Sequence, residues 1–239
     1  MIRSGEKKMR KKMSLIMLLL TFSLAATFPV KSTPITTIYV DPEISYAGVG
    51  KTFTVNLTVA EVDDIWGWDF QIFYASTRLN GTLVEEGPFL KTVGDTFFWI
   101  VNFTDNYNIT HGFIFGFCHL THVIPGAGAN GNGTLATITF KPKAVGNSTI
   151  HVTNTHMKKS TGEYILHETR DGTVIIGKLG DLGSLPAGWY VFDGLCDSDD
   201  FFLFRDSYVS YYHVLADFNN DGQVDSDDFF EFRNYYIGG

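Results

Sequence analysis

Oxygen-bearing side chains recur at alternate positions in "DFNNDGQVDSDDFF" (217–230). Asp217, Asn219 and Asp221 stand at positions 1, 3 and 5 of a loop that Asp228 closes at position 12. Gly222 sits at 6, where the chain must turn sharply, and Gln223 at 7 offers its backbone carbonyl. Val224 at 8 is apolar, and Asp225 at 9 can bind through water. Calcium takes about six to eight oxygens at about 2.3–2.6 Å, and this spacing delivers them to one point. A solvated acidic run has no need of a glycine at 6 and an aliphatic residue at 8. The expected cofactor is therefore Ca2+, with Asp closing the loop where Glu is usual.

The loop has a near copy upstream. "DGLCDSDDFFLFRDSYV" (193–209) matches "DGQVDSDDFFEFRNYYI" (221–237) at 11 of 17 positions. Asp193, Gly194, Leu195, Cys196, Asp197 and Asp200 fill positions 5 to 9 and 12. Positions 1 and 3 fall on Trp189 and Val191, which cannot ligate through their side chains. Asp181 supplies position 1 if "SLPAGWYV" bulges out as an insertion, so this second site is the more degenerate. A helix is expected after each loop, over 201–212 and 229–237. Phe201, Phe204 and Tyr208, and then Phe229, Phe232 and Tyr236, recur at helical spacing and are expected to pack the two units together.

These loops follow a region that reads as strands. "KTFTVNLTVAEV" (51–62) alternates, with Phe53, Val55, Leu57 and Val59 on one face. "IWGWDFQIFY" (65–74) does the same with Trp66, Trp68, Phe70, Ile72 and Tyr74, and "TLATITF" (134–140) and "NSTIHVTNT" (147–155) follow suit. "HGFIFGFCHL" (111–120) is apolar on both faces, as for a strand in the middle of a sandwich. "DPE" (41–43), "NGT" (80–82), "VIPGAGANGNG" (123–133) and "STGE" (160–163) read as turns. Many short strands with no amphipathic helix between them predict a mainly β fold, an antiparallel sandwich over 35–177. The loop–helix units occupy 179–239, joined to it by a linker of a few residues, too short for a flexible tether.

The first 30 residues form a separate object. Lys7, Lys8, Arg10, Lys11 and Lys12 precede the uncharged run "SLIMLLLTFSLAATF" (14–28), which ends near Ala25 and Ala26. A basic region, a short apolar core and small residues read as a secretory signal peptide. The run falls short of the roughly 20 residues that span a bilayer. Residues 1–30 carry six Lys or Arg and one Glu, so their removal takes the formal charge from −8 to −13. So acidic a chain disfavours nucleic acid and anionic membranes as partners and favours divalent cations. Six Asn-x-Thr sequons at Asn56, Asn80, Asn102, Asn108, Asn132 and Asn147 support export and read as glycosylation sites. The two cysteines, Cys118 and Cys196, are read as buried thiols.

One calcium loop with one exit helix, duplicated, resembles a type I dockerin domain. "SYYHVLA" (210–216) is too short to supply the entering helix of a paired EF-hand. In dockerins, positions 10 and 11 with positions 17 and 18 contact the partner. The resemblance implies those roles for Ser198, Asp199, Arg205 and Asp206, and for Ser226, Asp227, Arg233 and Asn234. It also implies two pseudo-symmetric binding faces. The stretch 35–177 resembles a cohesin domain, the partner module of dockerins. The order and spacing of "GVGKTFTVNLTV", "IWGWDFQIFY", "GPFLKTVG" and "GNGTLATITFKPKA" carry that resemblance. Together they imply a jelly-roll sandwich and a secreted, non-catalytic adaptor of a cellulosome-like, archaeal style. Its expected partners are dockerin- or cohesin-bearing extracellular proteins, with polysaccharide reached through them.

Other chemistries find less support. There is no Gly-x-Ser-x-Gly elbow and no His-Glu-x-x-His. "HLTH" (119–122) lies at a strand end, and Asp63, Asp64, Glu85 and Glu86 sit beside turn signals and read as solvent-facing charges. "GAGANGNG" (126–133) lacks the Lys and Ser/Thr of a phosphate loop. The alternative is a carbohydrate-binding sandwich with a dockerin tail, using Trp66, Trp68 or Tyr74 to stack sugars if those rings are exposed.

Overall fold

One strand organises the protein. In this computed structural model, which describes residues 35–183, 194–210, 212–219 and 221–237, β3 runs unbroken through Phe53–Ala75. Its first half pairs with β1 (Thr37–Asp41) on one side and β7 (Ala129–Pro142) on the other. Its second half pairs with β6 (His111–Leu120) and β8 (Gly146–Lys159). The first layer continues outward to β9 (Glu168–Arg170), parallel to β1, and to β4 (Leu79–Glu86), antiparallel to β7. The second layer continues to β5 (Thr96–Thr104) beyond β6, and through β10 (Gly172–Gly177) to β2 (Ile44–Gly48) beyond β8. The expected sandwich is present, and residues 35–239 make one compact unit.

Between the layers lies the core. Val55, Leu57 and Val59 from the first half of β3 meet Trp68, Phe70, Ile72 and Tyr74 from the second, with Ile114, Ile138, Phe140 and Val152. The two-residue alternation read from the sequence therefore holds along β3, apart from two positions. Phe53 and Trp66 are only partly buried. The register shifts between Ile65 and Gly67, which turns Trp66 out of phase with Trp68.

The crossing between layers replaces ladder bonds with side chains. Glu61 and Asp64 both have positive φ, +55° and +58°. The Glu61 amide donates to Asn132 Oδ1 (2.7 Å) and the Asp64 amide to Asn130 Oδ1 (2.9 Å). The Asp64 carboxylate accepts from the Gly128 amide (2.8 Å) and from Ser160 Oγ (2.7 Å). Asp64 is thus a lock on the loop before β7 rather than a solvent-facing charge. "NGT" (80–82) lies inside β4, and β7 begins at Ala129, so two expected turns are partly strand. Cross-strand pairing overrides turn propensity at both places.

The helices form α1 (Ser198–Val209) and α2 (Ser226–Ile237), each starting three residues before the expected boundary. Capping explains the difference. Asp197 caps α1 and shares a reciprocal capping box with Asp200. α1 then stops short of Tyr212. Among the described residues no helix is long and apolar enough to cross a membrane. The N-terminal stretch 1–30 lies outside the described residues.

Burial alone would raise the Asp64 carboxyl, but hydrogen bonds from Ser160 and Gly128 outweigh it and hold the group below the usual value of 3.8. A lowered value means that its share of stability is present above 3.8 and lost as pH falls through the depressed value. Asp64→Ala also strands the Gly128 amide and should cost about 1–3 kcal/mol in denaturant unfolding at pH 7. The deficit should shrink toward pH 3.

Candidate functional site

Two surfaces carry exposed chemistry, one on the sandwich and one on the helices. The first is the outer face of the second layer. β5 is an edge strand, pairing with β6 alone. Phe97 and Trp99 stand opposite His119 and Phe117, and all four rings lie on the outer side. Phe97 and Trp99 are 46% and 56% exposed, with rings nearly parallel at 6.4 Å. The Phe97 ring centroid lies 6.0 Å from Phe117 and 5.5 Å from His119, and Trp66 stacks on His119 at 5.0 Å. Further along, Phe73 meets Phe113 at 4.8 Å. Asp69 and His156 pair across β3 and β8 (2.9 Å), placing a polar couple beside the rings.

Strand periodicity explains this apolar face. Phe98 and Ile100 point inward to the core, while Phe97 and Trp99 have no layer above them. β6 likewise buries Ile114, Cys118 and Leu120 and turns Phe115, Phe117 and His119 outward. The expectation that β6 is covered on both faces is thus corrected: its second apolar face is surface. "TFFWIVNFT" (96–104) held the same signal, an edge strand apolar on both sides. Asn102 is exposed opposite Phe115, which puts its sequon at the rim of this face. Asn108, Asn132 and Asn147 are exposed elsewhere, while Asn56 and Asn80 are half-buried, with Asn56 Oδ1 accepting from Thr137 Oγ1 (2.8 Å). Trp68 and Tyr74 are buried, so two of the three rings considered for sugar stacking are core.

The second surface belongs to the loop–helix units, whose hydrogen bonds repeat one another. In the second loop, the Asp217 carboxylate accepts from the amides of Asp221 (3.1 Å) and Gly222 (2.8 Å). Asp228 accepts from the amides of Phe218 (2.6 Å), Asn219 (3.1 Å) and Asp225 (2.9 Å). In the first loop, Asp181 accepts from the amides of Gly183 (3.1 Å) and Gly194 (2.8 Å). Asp200 accepts from Leu182 (2.6 Å), Gly183 (3.2 Å) and Asp197 (2.8 Å). Gly194 and Gly222 share a left-handed φ, +84° and +87°. Asp181 thus stands where Asp217 stands, across the inserted segment, and Asp200 where Asp228 stands. Gly183 occupies the place of Asn219 and brings no side-chain oxygen. Asp193 lies outside the described residues.

The donor set suits a hard cation. Asp217, Asn219, Asp221, Asp225 and Asp228 offer oxygen, as do the carbonyls of Gln223 and Leu195. Asp228 is fully buried, and neither it nor Asp217 or Asp200 ion-pairs with a base among the described residues. Among the described residues no three His, Cys, Asp or Glu side chains converge into a metal-binding group. A calcium loop draws part of its set from amide and backbone oxygens, so acidic side chains need not meet alone.

The helices pack through Phe204 and Phe232, stacked at 4.9 Å, over a small core with Leu182, Leu203, Ala216 and Phe218. Phe201, Tyr208, Phe229 and Tyr236 remain partly exposed rather than closing that core. Outside it each helix repeats one pair: Arg205 lies over the Phe202 ring (5.0 Å) and Arg233 over Phe230 (5.6 Å). Ser198, Asp199, Arg205, Ser226, Asp227, Arg233 and Asn234 are all exposed, and Asp206 is half-buried, bonded to Arg205. Phe202 and Phe230 carry no role in the sequence reading, yet they cap these faces.

A family model described as "Cohesin domain" matches residues 42–176. The chain belongs to the cohesin family. A cohesin domain is a non-catalytic interaction module. Two solved cohesins share the fold. The cohesin of a type I cohesin–dockerin complex from Clostridium thermocellum is 17% identical, with a TM-score of 0.51 over 60% of this chain and 99% of that one. A type II cohesin from the cellulosome of Acetivibrio cellulolyticus is 15% identical, with a TM-score of 0.51 over 59% and 95%. A non-cellulosomal cohesin from Archaeoglobus fulgidus is 16% identical, at 0.49 over 60% and 91%. No curated protein matches the chain. The family match spans β2 to β10 of the sandwich, and the loop–helix units follow the last of these strands.

The free thiols differ: Cys118 is buried and Cys196 half-buried, and burial pushes Cys196 up to about 11. Burial likewise raises the Asp200 carboxyl above the usual 3.8, against the amide bonds from Asp197 and Leu182. The folded form then binds that proton more tightly, so stability from Asp200 falls as pH rises through the raised value. His213 pulls the other way. Burial holds it down to about 4, so its share is lost as pH falls from about 6.5. Thermal unfolding in chelator should show Asp200→Asn gaining stability relative to the native chain as pH rises from 4 to 7.

Proposed function

We propose that the chain is a secreted adaptor that joins two kinds of extracellular partner. The outer face of β5, β6, β3 and β8 receives the dockerin of one partner. The observation that carries this reading is the exposed, near-parallel pair Phe97 and Trp99, continuous with Phe117 and His119. Large exposed apolar patches on a soluble domain mark interaction sites, and aromatic anchors supply most of the binding energy. The solved structure from Clostridium thermocellum is a cohesin–dockerin complex, which supports the choice of partner.

The C-terminal units are read as a dockerin-like module held by Ca2+. Asp217, Asn219, Asp221, Gln223, Asp225 and Asp228 would hold one ion. Asp181, Asp193, Leu195, Asp197 and Asp200 would hold a second, with fewer ligands. Calcium supplies folding energy here, since so small a core needs a staple. The paired Arg205–Phe202 and Arg233–Phe230 faces, with Ser198, Asp199, Ser226 and Asp227 beside them, would meet a partner's cohesin. Residues 1–30 act as the export signal.

The carbohydrate reading, with Trp68 and Tyr74 buried, would have to rest on the partly exposed Trp66, with Trp99 and Phe97 beside it. One binding series separates the two. Trp99→Ala should weaken capture of type I or type II dockerins by about thirtyfold or more, the loss of a roughly 2 kcal/mol anchor. Its unfolding midpoint should stay native. Retention on insoluble polysaccharide, with no dockerin bound, would favour the sugar reading. Fragment 179–239 should lose helical circular dichroism in chelator and regain it with calcium, and an unchanged spectrum would remove calcium from the account. Asp217→Ala and Asp228→Ala should each weaken calcium binding more than Asp193→Ala.

A further inference from the structure

The two loop–helix units match at 11 of 17 positions, yet they are not used alike within the chain. Lys51, in the turn before β3, donates to the Phe218 carbonyl (2.5 Å) and to Glu231 Oε2 (2.8 Å). Both acceptors belong to the second unit. The first unit has Leu203 where the second has Glu231, one of the positions at which the repeat departs from itself. Leu203 is buried in the module's own core. At the matching position of the second unit, the Glu231 carboxylate faces Lys51.

Apolar contact surrounds the charge. A Cβ added at Gly48, at the end of β2, would stand 2.8 Å from Leu179 Cδ1. A small cleft of about 40 Å3 lies between Tyr46, Lys51, Leu179, Leu215 and Phe218. The Lys51 side chain is 30% exposed and that of Glu231 42%, so the pair sits at the rim of the contact.

We propose that Lys51 clamps the C-terminal module onto the sandwich, so that the sheet face and both helix faces are carried as one rigid body. The clamp uses a third surface of the module. It leaves Phe202 with Arg205, and Phe230 with Arg233, facing solvent. A partner on the sheet and a partner on either helix would then be held at a set angle, rather than on a hinge at residues 178–183. The inference concerns the joint alone and holds with or without calcium in the loops.

Spin labels at two exposed positions test it in the full chain: Thr77→Cys in the sandwich and Ser210→Cys after α1, in a Cys196→Ser background. The expected distance distribution is single and narrow. Lys51→Met should broaden it at least twofold, whereas Lys51→Arg, which keeps the donor, should leave it narrow. Glu231→Leu, which installs the first unit's residue, should broaden it less, since the Phe218 bond survives. Far-UV circular dichroism on each variant separates a loosened joint from an unfolded module. A broad distribution in the parent overturns the proposal. So does a Lys51→Met distribution as narrow as the parent, or a Lys51→Arg distribution as broad as that of Lys51→Met.

Discussion

Everything in the sandwich hangs on the hydrogen bonding of β3. Its 23 residues serve both layers, and each half is paired on both sides. A strand cannot pass between layers without breaking its ladder, because backbone groups at the bend lose their strand partners. The chain answers from elsewhere: Asn132 and Asn130 accept from the Glu61 and Asp64 amides, while Thr36 Oγ1 and the Ser160 amide donate to the Glu61 and Asp64 carbonyls. Positive φ at both residues turns the strand. That turn sets which rings of 65–75 face the core and which face the edge strands. The apolar outer face follows from this, since β6 and β5 take their register from β3 in turn.

The loop–helix units show a second economy. The aspartate that closes each loop also starts the helix after it. Asp200 and Asp228 bind loop amides with one oxygen and the cap residue's amide with the other. Local order is thus built into the loop before any cation is considered, and a cation would bind to carboxylates already turned inward. The cost is electrostatic. Burying these carboxylates with no base beside them raises Asp200 and makes neutral pH unfavourable to the bare loop. Loop and cation would offset each other's cost.

Much of this was legible beforehand. Period-2 alternation placed Val55, Leu57, Phe70 and Ile72 in the core, because a strand with one buried face has to alternate. The repeat and its glycine located both loops, and Asp181 was reachable by asking which acid could stand in for Trp189. Three things were not legible. β5 drew no notice because an edge strand and a central strand can share one apolar pattern, and only pairing distinguishes them. Trp66 looked like core because a register shift leaves no mark in composition. Phe201 and Phe229 looked like packing residues, and Phe202 and Phe230 drew no role, because helical spacing alone does not say which stripe meets the neighbour.

By itself the sequence determined the class of fold, the order of its parts and the oxygen chemistry of the loops. Those depend on local spacing: two residues per strand repeat, and alternate oxygens around a glycine turn. Only the tertiary structure decided which apolar face is left uncovered and which unit of the repeat turns toward the sandwich. Those depend on what the fold brings opposite each residue: no layer over the outer face of β5 and β6, and Lys51 against Glu231, 180 residues away. Identical short patterns acquire different fates there, because burial is set by what the fold brings opposite them and not by the residues that carry the pattern.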